Sequence, residues 1–212
     1  TNDVIYVYCG ETAITDTYSA PTDTASNTYT SRTSVSLTNR LIHSYYSVWT
    51  GSGSLTVSCN YTSQSAQRTT VFVIAISGAS IGDCGSGGVT CFDTNAAIPK
   101  TATVDSATSV TATISTSNAN DFILSGSVTS AIAGPTFSCT TTATIQIDKS
   151  EGLTPQGQTC YSIVSTTQSS VSVTQSETTG GRWVMIVDAI VQAATTVTQP
   201  VACTMSNSAT QA

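Results

Sequence analysis

Apolar residues gather in three runs along the chain, and each run predicts a strand. Thr69–Ser77 (TTVFVIAIS) and Arg182–Ala193 (RWVMIVDAIVQA) are apolar at most positions, which is typical of strands buried on both faces. Asp3–Cys9 (DVIYVYC) has the same character at the start of the chain. Because side chains alternate along a strand, its two faces carry Val4, Tyr6, Tyr8 and Ile5, Val7, Cys9.

The remaining segments alternate between apolar and polar residues and are separated by turns. In Thr108–Ser115, for example, Val110, Ala112 and Ile114 share one face. About a dozen strands follow one another at a spacing of roughly 10–15 residues, which predicts an all-β antiparallel β-sandwich of the jelly-roll type. We divide the chain into an N-terminal strand (1–10), a linker or loop (11–26), the sandwich (27–193) and a C-terminal strand or tail (194–212).

Composition narrows the possible partners. Charged residues make up 8 % of the chain, against about 25 % in typical soluble domains. The net charge is −6, and the six basic residues are spread along the chain, so we expect no nucleic-acid partner. The sequence contains no run of about 18 apolar residues, so we expect no membrane insertion.

Seven cysteines indicate an oxidising, extracellular setting, because such numbers are rare in reduced compartments. Cys84 and Cys91 bracket a glycine-rich loop (CGSGGVTC) and are expected to form a local disulfide. The odd count leaves one thiol that is free or that joins two chains. Thr1 leads directly into a strand, so we expect a secreted chain whose signal peptide has already been removed.

No residue pattern predicts catalysis or a cofactor. His43 is the single histidine, and no GxSxG motif accompanies it. The acids lie in contexts typical of turns, although loop oxygens around Asp93 and Asn95 could hold Ca²⁺. Asn60-Tyr61-Thr62 is a sequon that makes Asn60 a candidate glycosylation site. We therefore expect a protein that is not an enzyme and binds no metal or other cofactor, with glycans as candidate partners through the Asn60 sequon.

The two termini carry most of the functional information. A strand as apolar as Asp3–Cys9 frays at a chain end unless neighbours clamp it. One interpretation pairs it inside its own sandwich, with the alternating tail Thr195–Met205 covering a sheet edge. The other inserts one terminus into the next molecule, which builds a filament if the head-to-tail contact does not close.

Several segments resemble an extracellular jelly-roll module: DVIYVYCGE, ITDTYSAPTDTASNTYT, IHSYYSVWTGSGSLTVSCNYT, VFVIAISGAS with CFDTN, and RWVMIVDAIV. Together with the Ser/Thr-rich, charge-poor composition, they also resemble the subunits of archaeal threads, which are surface filaments. In that family a strand donated by the neighbour completes each sandwich. The resemblance implies a donor strand consisting of Val4, Ile5, Tyr6, Val7 and Tyr8, with the tail as the fallback donor through Val197, Val201 and Cys203.

The sequence therefore predicts a secreted structural subunit that forms a homopolymer by strand donation, for adhesion, cell–cell contact or biofilm. The alternative is a carbohydrate-binding or virion surface module in which Tyr45, Tyr46 and Trp49 offer stacking faces. A secreted hydrolase is a third hypothesis, and it requires two acids in one cleft.

Overall fold

The computed structural model describes residues 3–11, 18–61, 69–81, 84, 91–130, 136–139, 146–149 and 156–193. Of 146–149 only the backbone is described. Val197, Val201 and Cys203, which the sequence suggests as a fallback donor, lie outside these ranges. The strands are β1 (Asp3–Glu11), β2 (Tyr18–Asp23), β3 (Thr30–Ser36), β4 (Leu41–Trp49), β5 (Val57–Tyr61), β6 (Thr69–Ser77), β7 (Lys100–Ile114), β8 (Asp121–Thr129), β9 (Phe137–Cys139), β10 (Gln146–Lys149), β11 (Gln156–Val164) and β12 (Val171–Val191).

Two antiparallel sheets form the body of the molecule, which confirms the predicted all-β sandwich. The first sheet has four strands in the order β3-β4-β1-β6. The second has the order β10-β11-β8-β12-β7, and β9 pairs with β12 as well. Within the described part of the chain, no helix is long and apolar enough to span a membrane.

The stretch expected as a linker, 11–26, contains a strand. Glu11 still belongs to β1, and β2 occupies Tyr18–Asp23, so only 12–17 lie between the two strands. β2 pairs with β5 in a separate two-stranded sheet, with a register shift between Ser19 and Thr22. Pro21, which favours a turn in the sequence, falls in that irregularity, where a missing amide is tolerated.

The apolar run Arg182–Ala193 covers the second half of β12, which is 21 residues long and ends at Val191. It lies between β7 and β8, and its residues from Trp183 to Ile190 are all buried. The pair Gly180-Gly181, which the sequence suggests as a turn, instead lies within the strand at a shift in register with β7. Gly180 has φ +74°, a conformation that glycine adopts without strain, so the pair makes a bulge and lets the strand continue.

Apolar side chains fill three layers. The central core lies between the two sheets and contains Tyr6, Phe72 and Leu124. A second cluster lies between the four-stranded sheet and β2/β5, where Ile5, Val7 and Tyr45 are buried. A third cluster, around Trp183, covers the other face of the six-stranded sheet. Strands with apolar residues on both faces therefore lie where both faces are covered.

Candidate functional site

The N-terminal strand β1 occupies the middle of the four-stranded sheet. It pairs antiparallel with β4 from Asp3↔Trp49 to Glu11↔Leu41, and with β6 from Asp3↔Ser77 to Glu11↔Thr69. All nine of its residues are buried, although the strand begins two residues from the start of the sequence. We call its position the β1 groove, bounded by β4 and β6 at the sides, β8 and β12 below, and β2/β5 above.

Val4, Tyr6 and Tyr8 project from β1 into the central core, as the alternation of the sequence predicts. Tyr8 packs directly against Gly126 of β8. A Cβ atom placed on Gly126 would stand only 2.7 Å from the ring, so no side chain fits between them. Gly10 meets β8 in a similar way, since its Cβ would lie 2.3 Å from Cγ2 of Val128. These close approaches fix the position of β1 along the groove.

Gly126→Ala should therefore destabilise the protein by pushing the Tyr8 ring away from β8. Overpacking of this kind costs about 1–3 kcal/mol, more than the small gain from replacing a strand glycine. Urea denaturation of the variant measures the loss. In the double variant Gly126→Ala/Tyr8→Ala the penalty should shrink, because the Cγ, Cδ1 and Cδ2 atoms of Tyr8 that the new methyl group would meet are gone. Additive effects of the two changes would contradict the clash.

A buried ion pair accepts a hydrogen bond from the hydroxyl group of Tyr6 on β1. Tyr6 donates a hydrogen bond of 2.9 Å from its hydroxyl to Oδ2 of Asp188 on β12. Arg32 of β3 binds the same carboxylate with two contacts, Nε–Oδ2 at 2.8 Å and Nη2–Oδ1 at 3.1 Å. The guanidinium also lies 4.1 Å above the ring of Phe92. Tyr6 thus connects β1 to a pair that joins the two sheets.

The opposite face of β1 is covered by the two-stranded sheet and bonded to it. Cys9 forms a disulfide with Cys59 of β5, with 5.8 Å between the Cα atoms. Tyr18 of β2 stacks on His43, with ring centroids 4.3 Å apart. Burial lowers the pKa of His43. This histidine of β4 thus serves as a packed aromatic element beneath the cover.

Four further cysteines form disulfides, and the sequon lies on a strand. A disulfide joins Cys84 to Cys91, the pair that the sequence singles out, and another joins Cys139 to Cys160. Six of the seven cysteines are therefore bonded. Asn60 lies on β5, and its Nδ2 atom, to which a glycan would be attached, donates to the carbonyl oxygen of Ala20 at 2.7 Å.

The aromatic residues considered for sugar binding belong mainly to the interior. Tyr45 and Tyr46 are only 4 % and 6 % exposed, on opposite faces of β4. Trp49 is half-buried and packs against the cluster beneath β2/β5. In this conformation the two tyrosines offer no face on which a sugar could stack.

Asp93 and Asp121 form a buried carboxyl pair at one end of the sandwich. Asp93 accepts hydrogen bonds from the amides of Asn95, Ser117 and Asn118, at 2.7 to 3.0 Å. Burial alone would raise the pKa of Asp93, but these hydrogen bonds outweigh it and lower the pKa. Asp93 therefore organises the surrounding turns.

Burial, and next the neighbouring Asp93 carboxylate, raise the pKa of Asp121 to about 7. Asp121 lines a small, mostly apolar pocket between β6, β8 and β12 with Phe122 and Ile190. Only 1 % of its surface is exposed, so its carboxyl group meets little solvent.

The folded protein should therefore be more stable in mild acid than at neutral pH. An acid whose pKa rises on folding holds its proton in the folded state, so the stabilisation is complete below the unfolded value of 3.8 and disappears as the pH rises through about 7. Thermal melts between pH 5 and pH 8 should show a falling midpoint, and Asp121→Asn should flatten the slope. Equal slopes in both proteins would contradict this assignment.

Over the residues that the structure describes, no group of three or more His, Cys, Asp or Glu side chains could hold a metal ion. No known protein family, curated protein or solved structure matches the chain. The β1 groove is thus the candidate functional site on the evidence of its own geometry.

Proposed function

We propose that this protein is the structural subunit of an extracellular homopolymer, in which β1 of each chain occupies the β1 groove of the next. The observation that carries the proposal is the complete burial of β1 between β4 and β6. A strand at the edge of a sheet pairs with one neighbour only. This strand fills a slot in the middle of a sheet, and the fold is incomplete without it.

The contacts of β1 suit an exchange between copies. Every strand that lines the groove lies later in the chain than 12–17, so a neighbouring molecule would offer β1 the same surroundings. Seven residue steps separate Glu11 from Tyr18, which span at most roughly 24 Å when extended. Neighbouring sandwiches would therefore be held close together. A contact that uses one end of one molecule and the groove of another is a head-to-tail contact, and it makes a filament when the rotation between neighbours does not close a ring.

The energy of the donated strand supports a slow-dissociating junction. Fully burying each large apolar side chain of β1 contributes about 1.5–3 kcal/mol. Its ladder hydrogen bonds with two neighbours add about 0.5–1.5 kcal/mol each, before entropic costs. An extracellular location fits the three disulfides, which persist in oxidising surroundings.

Electron microscopy of the purified full-length chain tests the proposal. We expect filaments one subunit wide, with shorter filaments when a synthetic peptide of residues 1–11 is added in excess during assembly. The peptide occupies grooves but has no sandwich of its own, so it ends growth. A control peptide with Tyr6→Asp should not shorten the filaments, because it would bury a charge beside Asp188.

The outcomes separate the hypotheses. A stable monomer at all concentrations, in reduced as well as in oxidised protein, would overturn the filament and favour the carbohydrate-binding or virion module. Filaments of unchanged length in the presence of the peptide would overturn β1 as the donor. They would leave the tail, with Val197, Val201 and Cys203, as the remaining donor.

A further inference from the structure

A single disulfide crosses the boundary between β1 and the rest of the protein. Cys9 on β1 is completely buried, and its partner Cys59 lies half-buried on β5, in the sheet that covers the groove. Of the other two disulfides, Cys84–Cys91 closes a local loop and Cys139–Cys160 joins β9 to β11. Neither of those two involves β1.

This bond decides which molecule holds β1. While Cys9 is bonded to Cys59 of its own chain, β1 is tied to its own groove and cannot reach a neighbour. If β1 occupied the groove of a neighbour, its Cys9 would lie against the neighbour's β5 in the geometry seen within one chain, where the Cα atoms are 5.8 Å apart. A polymer with exchanged strands therefore requires the thiols to be reduced while the exchange takes place.

We propose that the Cys9–Cys59 disulfide forms between neighbouring subunits, after β1 has been exchanged, and makes each junction of the polymer covalent. This inference rests on the proposed function, because it assumes that β1 is the exchanged strand. The same bond, formed too early within one chain, keeps that subunit out of the polymer. The order of strand exchange and oxidation thus determines whether a chain assembles.

The chemistry needs a disulfide oxidant of low molecular weight, such as glutathione disulfide. The half-buried Cys59 is the thiol that such an oxidant can reach. Its thiolate attacks the oxidant, forms a mixed disulfide and releases one thiol. The thiolate of Cys9, which is already in place beneath the cover, then displaces the second thiol and forms the Cys9–Cys59 bond. Two protein thiols lose two electrons and two protons, and one oxidant molecule becomes two thiols.

Isotope mixing distinguishes a bond within one chain from a bond between chains. Equal amounts of reduced ¹⁴N and ¹⁵N full-length protein are assembled together, oxidised with glutathione disulfide, blocked with an alkylating agent and digested with trypsin. Cleavage after Arg32, Arg40 and Arg68 places Cys9 on peptide 1–32 and Cys59 on peptide 41–68. We expect linked peptides that combine one ¹⁴N and one ¹⁵N partner in the proportion of random pairing.

The chain contains its own control. Cleavage after Lys100, Lys149 and Arg182 places Cys139 on peptide 101–149 and Cys160 on peptide 150–182. This disulfide should yield only pure ¹⁴N or pure ¹⁵N pairs in the same digest. Without reductant, filaments should run as a ladder of multimers in SDS, and Cys9→Ser filaments should run as monomers, whereas a Cys84→Ser/Cys91→Ser variant should keep the ladder.

Each outcome has a defined meaning. Filaments that the peptide of residues 1–11 shortens, but that contain unbonded Cys9 and Cys59, would overturn the covalent junction and leave the strand exchange standing. Filaments with only pure Cys9–Cys59 pairs would show that β1 stays in its own groove, and would overturn both proposals. The absence of filaments in any redox state would overturn the proposed function itself.

Discussion

A chain that begins at Thr12 should fail to fold on its own. Removing 1–11 opens a slot in the middle of the four-stranded sheet and exposes the apolar faces of β4 and β6, including Ile42, Tyr46 and Phe72. The lost burial amounts to several large side chains at about 1.5–3 kcal/mol each. This sum is comparable to the whole stability of a typical domain, about 5–15 kcal/mol. Circular dichroism and size-exclusion chromatography should show an unfolded or aggregated chain.

Adding the missing strand back should restore the fold. We expect the synthetic peptide of residues 1–11 to convert the shortened chain into a soluble, folded complex with one peptide per chain, and to prevent any filament. The Tyr6→Asp peptide is the matched control and should leave the shortened chain unfolded, because it would bury a charge beside Asp188. If the chain that begins at Thr12 were a folded monomer without the peptide, β1 would not be needed to complete the sandwich.

Replacing Asp188 with asparagine should be among the most damaging single changes in the protein. The variant leaves the guanidinium of Arg32 in a buried site without its carboxylate, and breaking a buried pair in this way costs about 3–5 kcal/mol. Tyr6 would at the same time lose a charged acceptor at 2.9 Å. Urea denaturation gives the loss as a fall in the midpoint at constant slope.

A second ion pair provides the control for that change. Nε of Arg182 lies 2.9 Å from Oδ1 of Asp105, but the two side chains are 42 % and 53 % exposed. Exposed pairs contribute about 0–1 kcal/mol, so Asp105→Asn should have a small effect. Equal losses from Asp188→Asn and Asp105→Asn would mean that the buried pair does not hold the sheets together.

The sequence predicts the strands better than it predicts their neighbours. The unbroken apolar character of Asp3–Cys9 correctly indicates burial on both faces, because such a strand is stable only between two covering layers. Nothing in the local pattern shows that β4 and β6 are its partners, since strand pairing depends on contacts far apart in the chain. The Gly180-Gly181 pair suggests a turn but forms a bulge within β12, because glycines favour both turns and bulges.

The chemistry of the groove is the part that sequence analysis missed. Asp188 is the only charged residue between Trp183 and Val191 of β12, and a lone charge in an apolar run is a signal that a partner must be present. Its partner Arg32 lies on a polar-looking strand 156 positions away, so the pairing could not be inferred from spacing. Similarly, the Cys9–Cys59 disulfide spans 50 positions, so the local sequence gives no sign of it. The Cys84–Cys91 disulfide spans seven positions and could be predicted from the loop that it closes.

The close fit of Tyr8 over Gly126 also fixes the register of each junction in the proposed polymer. Slipping β1 by one residue would turn Tyr8 away from the core, and slipping it by two would place a ring where Gly10 meets Val128. Each junction would therefore have a single permitted register. Every junction of such a polymer would bury the same side chains, and none could slide into a longer or shorter pairing.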